Sequence, residues 1–390
     1  MKIPLGVTFI GGSAFKGCSG LKSVTIPSSV TGIGNEVFYN CKGLTELTIP
    51  SSVKIIYHDA FSGCSGLTSV TISEGVETIG DGVFYNCEGL TELTIPSSVK
   101  SVGSYAFRYC SGLTNVTISK GITSIGEYAF YGCSELKSVM IPSSVTSVGN
   151  YAFSGCSGLT ELTISEGVET MGIEAFNGCS SLSKIAIPSS VTSIGAFAFR
   201  GCNGVELIEV SSGNTEFSDE GNCLIKLSSK TLLLGCNNSV IPEDVTSIGT
   251  YAFENCSGLT ELTIPPSVKS IWGYAFYGCS GLTNITIPSS VTDMARHAFS
   301  GCKNLSIVFA EGMEKIPSNA LSGASGVVSV MIPFSVTTIG SSAFSGCSKL
   351  NDIFYSGTGD QWNSITKYSY WNYNTGKYTI HCTDGDIAKN

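Results

Sequence analysis

Residues 90–112 read LTELTIPSSVKSVGSYAFRYCSG, and close variants of this 23-residue stretch recur along the chain. Within it, the apolar residues Leu93 and Ile95 alternate with polar ones, and an Ala106-Phe107 pair precedes Cys110. An internal period of roughly 20–50 residues is typical of solenoids, in which each repeat buries its apolar side chains only against its neighbours. The 390 residues therefore predict one long repeat domain instead of several closed globular cores.

Cysteines mark the period most clearly. The interval between them is constant as far as Cys202, and after a longer gap the same pattern resumes at Cys256. Ala324 replaces the cysteine once, one position early. The fourteen marker residues are Cys18, Cys41, Cys64, Cys87, Cys110, Cys133, Cys156, Cys179, Cys202, Cys256, Cys279, Cys302, Ala324 and Cys347.

Each repeat predicts one strand and a short return path. In the copy that begins at Leu67, the pattern L-x-x-V-x-I matches the strand signature of leucine-rich repeats. The alternation places Val70 and Ile72 inside and Ser69 and Thr71 outside. A short V-x-x-I-G element follows, and nowhere does the sequence show the sustained helical periodicity of a full helix. We expect short strands and single turns on the convex side, with no full helices.

The unit L-x-x-V-x-I-P-x-x-V-x-x-I-G-x-x-A-F-x-x-C resembles the BspA-type leucine-rich repeat, over about residues 3–355. The resemblance implies a mainly β, right-handed solenoid of about 14 repeats in residues 1–355, with an irregular hairpin insertion at about 211–240. Residues 356–390 are expected to form an aromatic C-terminal cap and tail. Gly357–Asn363 is similar to the closing motif that often follows such repeats.

Members of that family are mostly secreted or surface proteins of bacteria and some mucosal protists, and those with assigned roles are adhesins. The resemblance thus implies an extracellular or cell-surface location. It also implies partners among host extracellular-matrix proteins or microbial surface proteins. Met1-Lys2 leads directly into Ile3–Val7, which is already inside a repeat, so the sequence shows no signal peptide at this end.

Composition argues against several other classes of function. The net charge is −9 and no lysine or arginine cluster occurs, which argues against binding to nucleic acid. No run of about 18 apolar residues exists, so we expect no membrane insertion. His58, His297 and His381 are scattered and lie in none of the common catalytic or metal-binding motifs. We therefore expect neither enzymatic activity, nor a cofactor, nor a metal site.

The regular cysteines are expected to form an internal ladder of reduced thiols. Residues at one repeat position stack in line about 4.8 Å apart, a geometry that suits disulfide formation poorly. Cys223 and Cys236 are different, because residues 223–236 predict a hairpin. If Ser229-Lys230 form a two-residue loop, Cys223 faces Cys236. Either a disulfide joins them, or both remain apolar-facing thiols.

The outward middle position of the strand is usually threonine, but near the C-terminus it becomes Phe309, Met331 and Phe354, with Ile307 and Val328 beside them. Stacked on successive strands, these residues predict an apolar patch. Two interpretations remain open. The patch binds a protein or a glycan, or the aromatic tail, Tyr355–Cys382, folds back and covers it.

Aromatic residues also recur in two columns on the convex side. The first precedes the Ala-Phe pair, and the second lies two positions before the cysteine, at Tyr39, Tyr85, Tyr131 and Tyr277. The rings either stack on one another or provide a stripe for an extended ligand. The first column consists of Tyr105, Tyr128, Tyr151, Phe197, Tyr251 and Tyr274, with Glu174 in its middle.

Three functions are compatible with these features. The first is a non-enzymatic adhesion or protein-binding role through the concave sheet, whose Thr, Ser and Glu side chains predict a solvated and mildly acidic wall, and through the apolar patch. The second is glycan binding through the Tyr and Trp columns, because flat rings stack on sugars. The third is an architectural spacer.

Overall fold

In the computed structural model, which describes residues 1–388, the chain is a β-solenoid of about 16 turns, roughly 23 residues apart. This confirms the predicted fold class. Two turns more than the 14 expected are formed, because two segments without the full repeat sequence also pair in parallel with neighbouring coils. Thr231–Leu234 pairs with Ser247–Ile248, and Asp352–Tyr355 pairs with Thr379–Cys382.

Hydrogen bonds between coils hold the same register from one repeat to the next. On the strand side, Leu47 lies opposite Val70 and Ile49 opposite Ile72. On the turn side, the Phe107 N–H donates to the Ala129 carbonyl at 2.8 Å. Inner coils thus bond much of their backbone to the coils on either side, as a buried chain without helices must.

Contacts divide the chain into two compact units. The first comprises Met1–Val205 and Glu209–Thr215, and the second comprises Glu206–Ile208 and the residues from Glu216 onward. In the first unit, a six-stranded parallel sheet forms one wall and a nine-stranded sheet of two-residue strands forms the other. The long strands are Glu46–Ile49, Ser69–Ile72, Glu92–Ile95, Asn115–Ile118, Ser138–Ile141 and Glu161–Ile164, with Lys184–Ile187 after them. The short strands are Phe9–Ile10, Gly32–Ile33, Ile55–Ile56, Thr78–Ile79, Ser101–Val102, Ser124–Ile125, Ser147–Val148, Thr170–Met171 and Ser193–Ile194.

The second unit repeats this plan. Its long-strand sheet ends in an antiparallel pair contributed by the C-terminal segment. The long strands are Asn284–Ile287, Leu305–Phe309, Val327–Ile332, Asp352–Tyr355, Thr379–Cys382 and Gly385–Ala388. The other strands are Phe217–Ser218, Leu224–Lys226, Thr231–Leu234, Ser247–Ile248, Ser270–Ile271, Asp293–Met294, Lys315–Ile316, Thr338–Ile339 and Thr366–Lys367, and Leu207–Val210 is divided between the units. Short 3₁₀ turns occupy Glu220–Asn222 and Leu227–Ser229.

The core is a stack of identical side chains. Phe107, Phe130 and Phe153 are fully buried, and their rings stack with centroids 5.2 and 5.1 Å apart. Burial of each such ring contributes about 1.5–3 kcal/mol to stability. Beside them, the thiols of most ladder cysteines donate to the carbonyl of a phenylalanine in the preceding coil, as Cys133 Sγ does to Phe107 O at 3.3 Å. Cys256 and Cys347 donate instead to the carbonyls of Gly235 and Leu321.

All sixteen cysteines are free thiols. The predicted reduced ladder is therefore present. Burial raises the pKa of the Cys110 and Cys156 thiols to about 12, so they remain protonated and unreactive at neutral pH.

Cys223 and Cys236 are both buried free thiols, so of the two alternatives the disulfide is not formed, and the two-residue loop on which their pairing depended is absent. The hairpin turns through four residues, 227–230, with Lys230 in the left-handed conformation, so Lys226 lies opposite Thr231. A register shift between Leu224 and Ile225 then places Leu224 opposite Leu234, which recovers only one of the two residues by which the strands are out of the expected alignment. Cys223 Sγ donates to the Gly221 carbonyl at 3.5 Å, whereas Cys236 Sγ contacts Asn238 Oδ1 at 3.0 Å.

The C-terminal segment extends the coils instead of forming a separate body. Its helix, Gly359–Ser364, begins with a capping box in which Thr358 and Gln361 bond each other's backbone. Trp362 is buried and lies edge-on to Tyr355, with ring centroids 5.4 Å apart. Nowhere in residues 1–388 is a helix both long and apolar enough to cross a membrane.

Thiol labelling tests the ladder. We expect the native protein to react with a thiol reagent such as DTNB first at the exposed Cys18 and more slowly at the half-buried Cys382, whose pKa is raised by burial and then by Asp384 and Asp386. The buried thiols react only after unfolding. Mass spectrometry of labelled peptides identifies each site, and labelling of Cys133 as fast as Cys18 contradicts the ladder.

A second prediction concerns His381, in the strand that joins the C-terminal segment to the sheet. Its Nε2 lies 2.9 Å from Asp352 Oδ1 and its Nδ1 lies 3.0 Å from Asp386 Oδ1. The hydrogen bond with Asp352, and then that with Asp386, raises the pKa of His381. Because the folded-state pKa is raised, the stabilisation is fully present below the unfolded pKa of about 6.5 and is lost as pH rises through the folded pKa.

We therefore expect hydrogen-exchange protection factors of Thr379–Cys382 to fall as the pH rises above about 6.5 and through the raised pKa of His381. In the variant Asp352→Asn/Asp386→Asn this fall becomes smaller. Protection of Asn115–Ile118 in the first unit serves as the internal control and does not follow the same pH profile. An unchanged pH profile in the double variant contradicts the role assigned to the two carboxylates.

Candidate binding surfaces

The outer faces of the long-strand sheets are exposed in both units. In the first unit this face is polar, because the outward positions hold residues such as Glu46, Glu92 and Glu161, all of them exposed, and threonines between them. Apolar residues occupy the outward middle position at Met140, which is 61% exposed, and at Ala186, which is half-buried. The expected solvated and mildly acidic wall is therefore present.

In the second unit the same outward position becomes apolar. The register aligns Thr286 with Val308, Val308 with Met331, and Met331 with Phe354 on successive strands. Met331 is 48% exposed and Phe354 is 42% exposed, whereas Val308 is partly buried. Val308, Met331 and Phe354 are called the apolar column below.

The sequence predicted Phe309 in the outward column and Ile307 beside it on the same face, and both predictions are wrong. Both face the core, at 2% and 1% exposure, and the Phe309 ring packs on Phe344 with centroids 6.3 Å apart. The cause is the repeat that is one residue short: Ile307, not Val308, aligns with Ile285. Val328 lies where the register shifts between Leu305 and Ser306, and it is half-buried.

The C-terminal segment does not cover the apolar column. It adds the strand Thr379–Cys382 beside Phe354, and the His381 ring stacks on the Phe354 ring with centroids 4.8 Å apart. This contact leaves Met331 and Phe354 nearly half exposed. Asp352 and Asp386, which hold the imidazole, place two carboxylates at the edge of the same face.

The aromatic column on the convex side is a stack. Tyr128 lies between Tyr105 and Tyr151, with centroid distances of 5.1 and 4.6 Å. Tyr251, Tyr274 and His297 form a similar stack in the second unit, at 5.0 and 5.1 Å.

These residues have positive φ, between 55° and 65° for the stacked tyrosines and His297. The left-handed conformation is costly for a side chain with a Cβ, by roughly 1–2 kcal/mol. Each turn nevertheless requires it at this position, and glycine or a polar residue fills it elsewhere, as at Gly82 and Asp59. Contact between rings on adjacent coils offsets part of that cost.

Sequence reasoning missed one feature of this wall, the side chain of Arg108. Its guanidinium carbon lies between 4.8 and 5.9 Å from the centroids of five tyrosine rings. The signal was an arginine in the second tyrosine column, with an aromatic residue at the same position of the repeat before and of the repeat after. The rings are Tyr85, Tyr105, Tyr109, Tyr128 and Tyr131.

The described residues contain no group of three or more His, Cys, Asp or Glu side chains arranged to hold a metal ion. The three histidines lie in different places: His58 beside Asp81, His297 in the aromatic stack and His381 on Phe354.

The known proteins to which this chain is similar are leucine-rich repeat proteins. The model of the BspA-type leucine-rich repeat region matches residues 1–114, 100–223 and 234–351. A leucine-rich cell surface protein of Faecalibacterium prausnitzii is 33% identical, with 94% of this chain and 89% of that chain covered at a TM-score of 0.63. A leucine-rich repeat protein of Bacteroides ovatus is 27% identical, covering 97% and 91% at a TM-score of 0.65.

The pneumococcal vaccine antigen PcpA shares the fold at 19% identity and a TM-score of 0.57, covering 91% of this chain and 93% of that one. No curated protein matches the sequence. The repeat pattern, the coil geometry and the match over most of the chain agree, and the chain belongs to the family of BspA-type leucine-rich repeat proteins.

Proposed function

We propose that this chain is a non-enzymatic adhesion protein of the cell surface that binds a protein partner through the outer face of the C-terminal sheet. The observation that supports it most directly is the exposure of Met331 and Phe354 on adjacent strands. Strands in a sheet lie about 4.8 Å apart, so the two side chains form one apolar surface.

The surroundings of the apolar column suit a protein interface. Binding energy at such interfaces concentrates in a few apolar or aromatic anchors enclosed by a polar rim. Here the anchors adjoin Asp352, His381 and Asp386, while the equivalent outward position two strands before Met331 is Thr286. Phe334, in the turn after Met331, is 61% exposed and enlarges the apolar surface of the same coil.

The proposed location rests on relatives. The Faecalibacterium prausnitzii protein, alike in sequence over most of both chains, is described as a cell surface protein. A solenoid whose sheet has an exposed outer face suits presentation of side chains to a partner outside the cell.

Glycan binding through the tyrosine columns has less support. Sugars stack on open ring faces, but the faces of Tyr128 are already occupied by Tyr105 and Tyr151. The spacer hypothesis gives no reason for apolar side chains at outward positions that threonine fills elsewhere.

The decisive variant is Met331→Asp/Phe354→Asp. Binding of the purified protein to immobilised fibronectin, laminin and collagen, and in parallel to a glycan array, is measured for wild type and variant. We expect the wild type to bind at least one matrix protein and the variant to bind it roughly 30-fold more weakly, as loss of about 2 kcal/mol of anchor contact requires.

The matched control is Met140→Asp, an exposed methionine at the same strand position in the first unit. It is expected to leave binding unchanged. Equal thermal unfolding midpoints for the two variants and the wild type exclude loss of fold as the cause. Binding to glycans alone, or equal binding by wild type and the double variant, contradicts the proposal.

A further inference from the structure

The convex wall of the first unit carries an open groove of about 520 Å³. Its volume is within the range of small-ligand sites, roughly 300–1,000 Å³. Three carboxylates and three tyrosine rings dominate the lining, which also includes the small residues Ser62 and Gly82. The polar and aromatic residues of the groove are Glu36, Asp59, Asp81, His58, Tyr39, Tyr85 and Tyr105.

The column that lies directly after each core phenylalanine explains why the groove is there. Taken once per repeat, it reads Lys16, Tyr39, Ser62, Tyr85, Arg108 and Tyr131. Cations and tyrosines alternate in it, except that Ser62 replaces the cation between Tyr39 and Tyr85.

The two cations of the column, Lys16 and Arg108, each lie over the rings of tyrosines in neighbouring coils. Lys16 Nζ lies 4.8 Å from the centroid of the Tyr39 ring and 2.9 Å from Glu36 Oε2. Arg108 Cζ lies 5.9 Å from the Tyr85 centroid and 4.9 Å from the Tyr131 centroid. Attraction of a cation to a ring face within about 6 Å is favourable, and most so where water is partly excluded.

At Ser62 the protein supplies no cation but retains the groups that attract one. Among residues 1–388, no lysine or arginine forms an ion pair with Asp59 or Asp81. Asp81 Oδ2 lies 3.7 Å from His58 Nδ1, and Glu36 is the partner of Lys16. The carboxylates of Asp59 and Asp81 therefore face a groove that lies between the rings of Tyr39 and Tyr85. These two tyrosines are two coils apart, or about 10 Å.

The raised pKa of Asp59 agrees with a cation position that the protein leaves unfilled. Burial, and then the nearby charge of Glu36, raises the pKa of the Asp59 carboxyl. A cation brought close to it would reverse that effect, because an opposite charge favours the ionised carboxylate.

We propose that the groove between Tyr39 and Tyr85 binds a basic side chain, above all the guanidinium of an arginine, from a protein partner. Arg108, two coils further along the column, lies between two tyrosines that are likewise two coils apart, Tyr85 and Tyr131. A planar guanidinium can stack on rings while it hydrogen-bonds carboxylates. The overall charge of −9 favours approach of a basic partner. This site belongs to the first unit, so it is tested separately from the apolar column of the second.

The probe is a blocked peptide, acetyl-Gly-Gly-Arg-Gly-Gly-amide, compared with the same peptide carrying citrulline, which is neutral and nearly isosteric. Saturation-transfer NMR on the full chain measures the affinity of each. We expect binding of the arginine peptide at least fivefold tighter than that of the citrulline peptide. Equal affinities for the two peptides, or no binding of either, overturn the proposal.

Two variants locate the site. Ser62→Arg introduces a guanidinium where the alternation lacks one, and it is expected to abolish peptide binding by filling the groove from within. The control Ser154→Arg changes the equivalent buried serine four coils later, and it is expected to leave binding unchanged. Retained binding in Ser62→Arg, with native circular dichroism, overturns the proposal.

The second variant, Asp59→Asn/Asp81→Asn, is expected to fold, because asparagine tolerates the positive φ of 54° at position 59. At position 81, asparagine keeps an acceptor for the Ser104 N–H, which donates to Asp81 Oδ1 at 2.8 Å. We expect at least fivefold weaker arginine-peptide binding, with Glu127→Gln on the same wall as the unaffected control. Unchanged binding in the double variant contradicts a role for the two carboxylates.

Discussion

The hydrogen-bonded register between coils is the constraint on which the rest of the structure depends. Because each coil satisfies its backbone on its neighbours, residues one repeat apart are forced into contact wherever the repeat keeps its length. Sequence columns thereby become physical columns. The phenylalanine and cysteine ladders inside, and the threonine and tyrosine columns outside, follow from that one requirement.

A change of repeat length shows how strict the constraint is. The coil between Cys302 and Ala324 is one residue short, yet the core position is kept by moving Phe309 inward to align with Ile287. The adjustment is absorbed locally, at the register shift beside Leu305. Burial of apolar side chains on the strand face therefore outweighs fixed spacing along the chain, since a slip of one residue would expose the whole inward set.

The fold could be predicted from the sequence. The 23-residue period, the inward positions of Val70 and Ile72 and the ladder cysteines all reflect the same register between coils. Prediction from the sequence failed for Phe309, where counting by a constant period ignored the missing residue, and for Cys223 and Cys236, where the hairpin turn has four residues instead of two. Two of the three residues of the apolar column could be predicted, since Met331 and Phe354 lie in full-length coils. The C-terminal segment makes contacts through His381 that pair residues 29 and 5 positions apart, and such contacts have no period to reveal them.

Because the contacts between repeats are fixed, the chain acquires new surface properties by substituting single residues at one position of the repeat. In the core, a substitution is felt by two neighbouring coils and is constrained by both, which explains why Phe107 and its equivalents vary so little along the chain. On the outside, a smaller side chain leaves its two neighbours exposed to solvent or to a ligand. Ser62 between two tyrosines is a departure of this kind, by loss of size and charge. Met331 beside Phe354 is a different departure, because it adds apolar surface. Such departures cost the solenoid little stability because the register does not depend on outward side chains, and this freedom lets one scaffold present different chemistry on each wall.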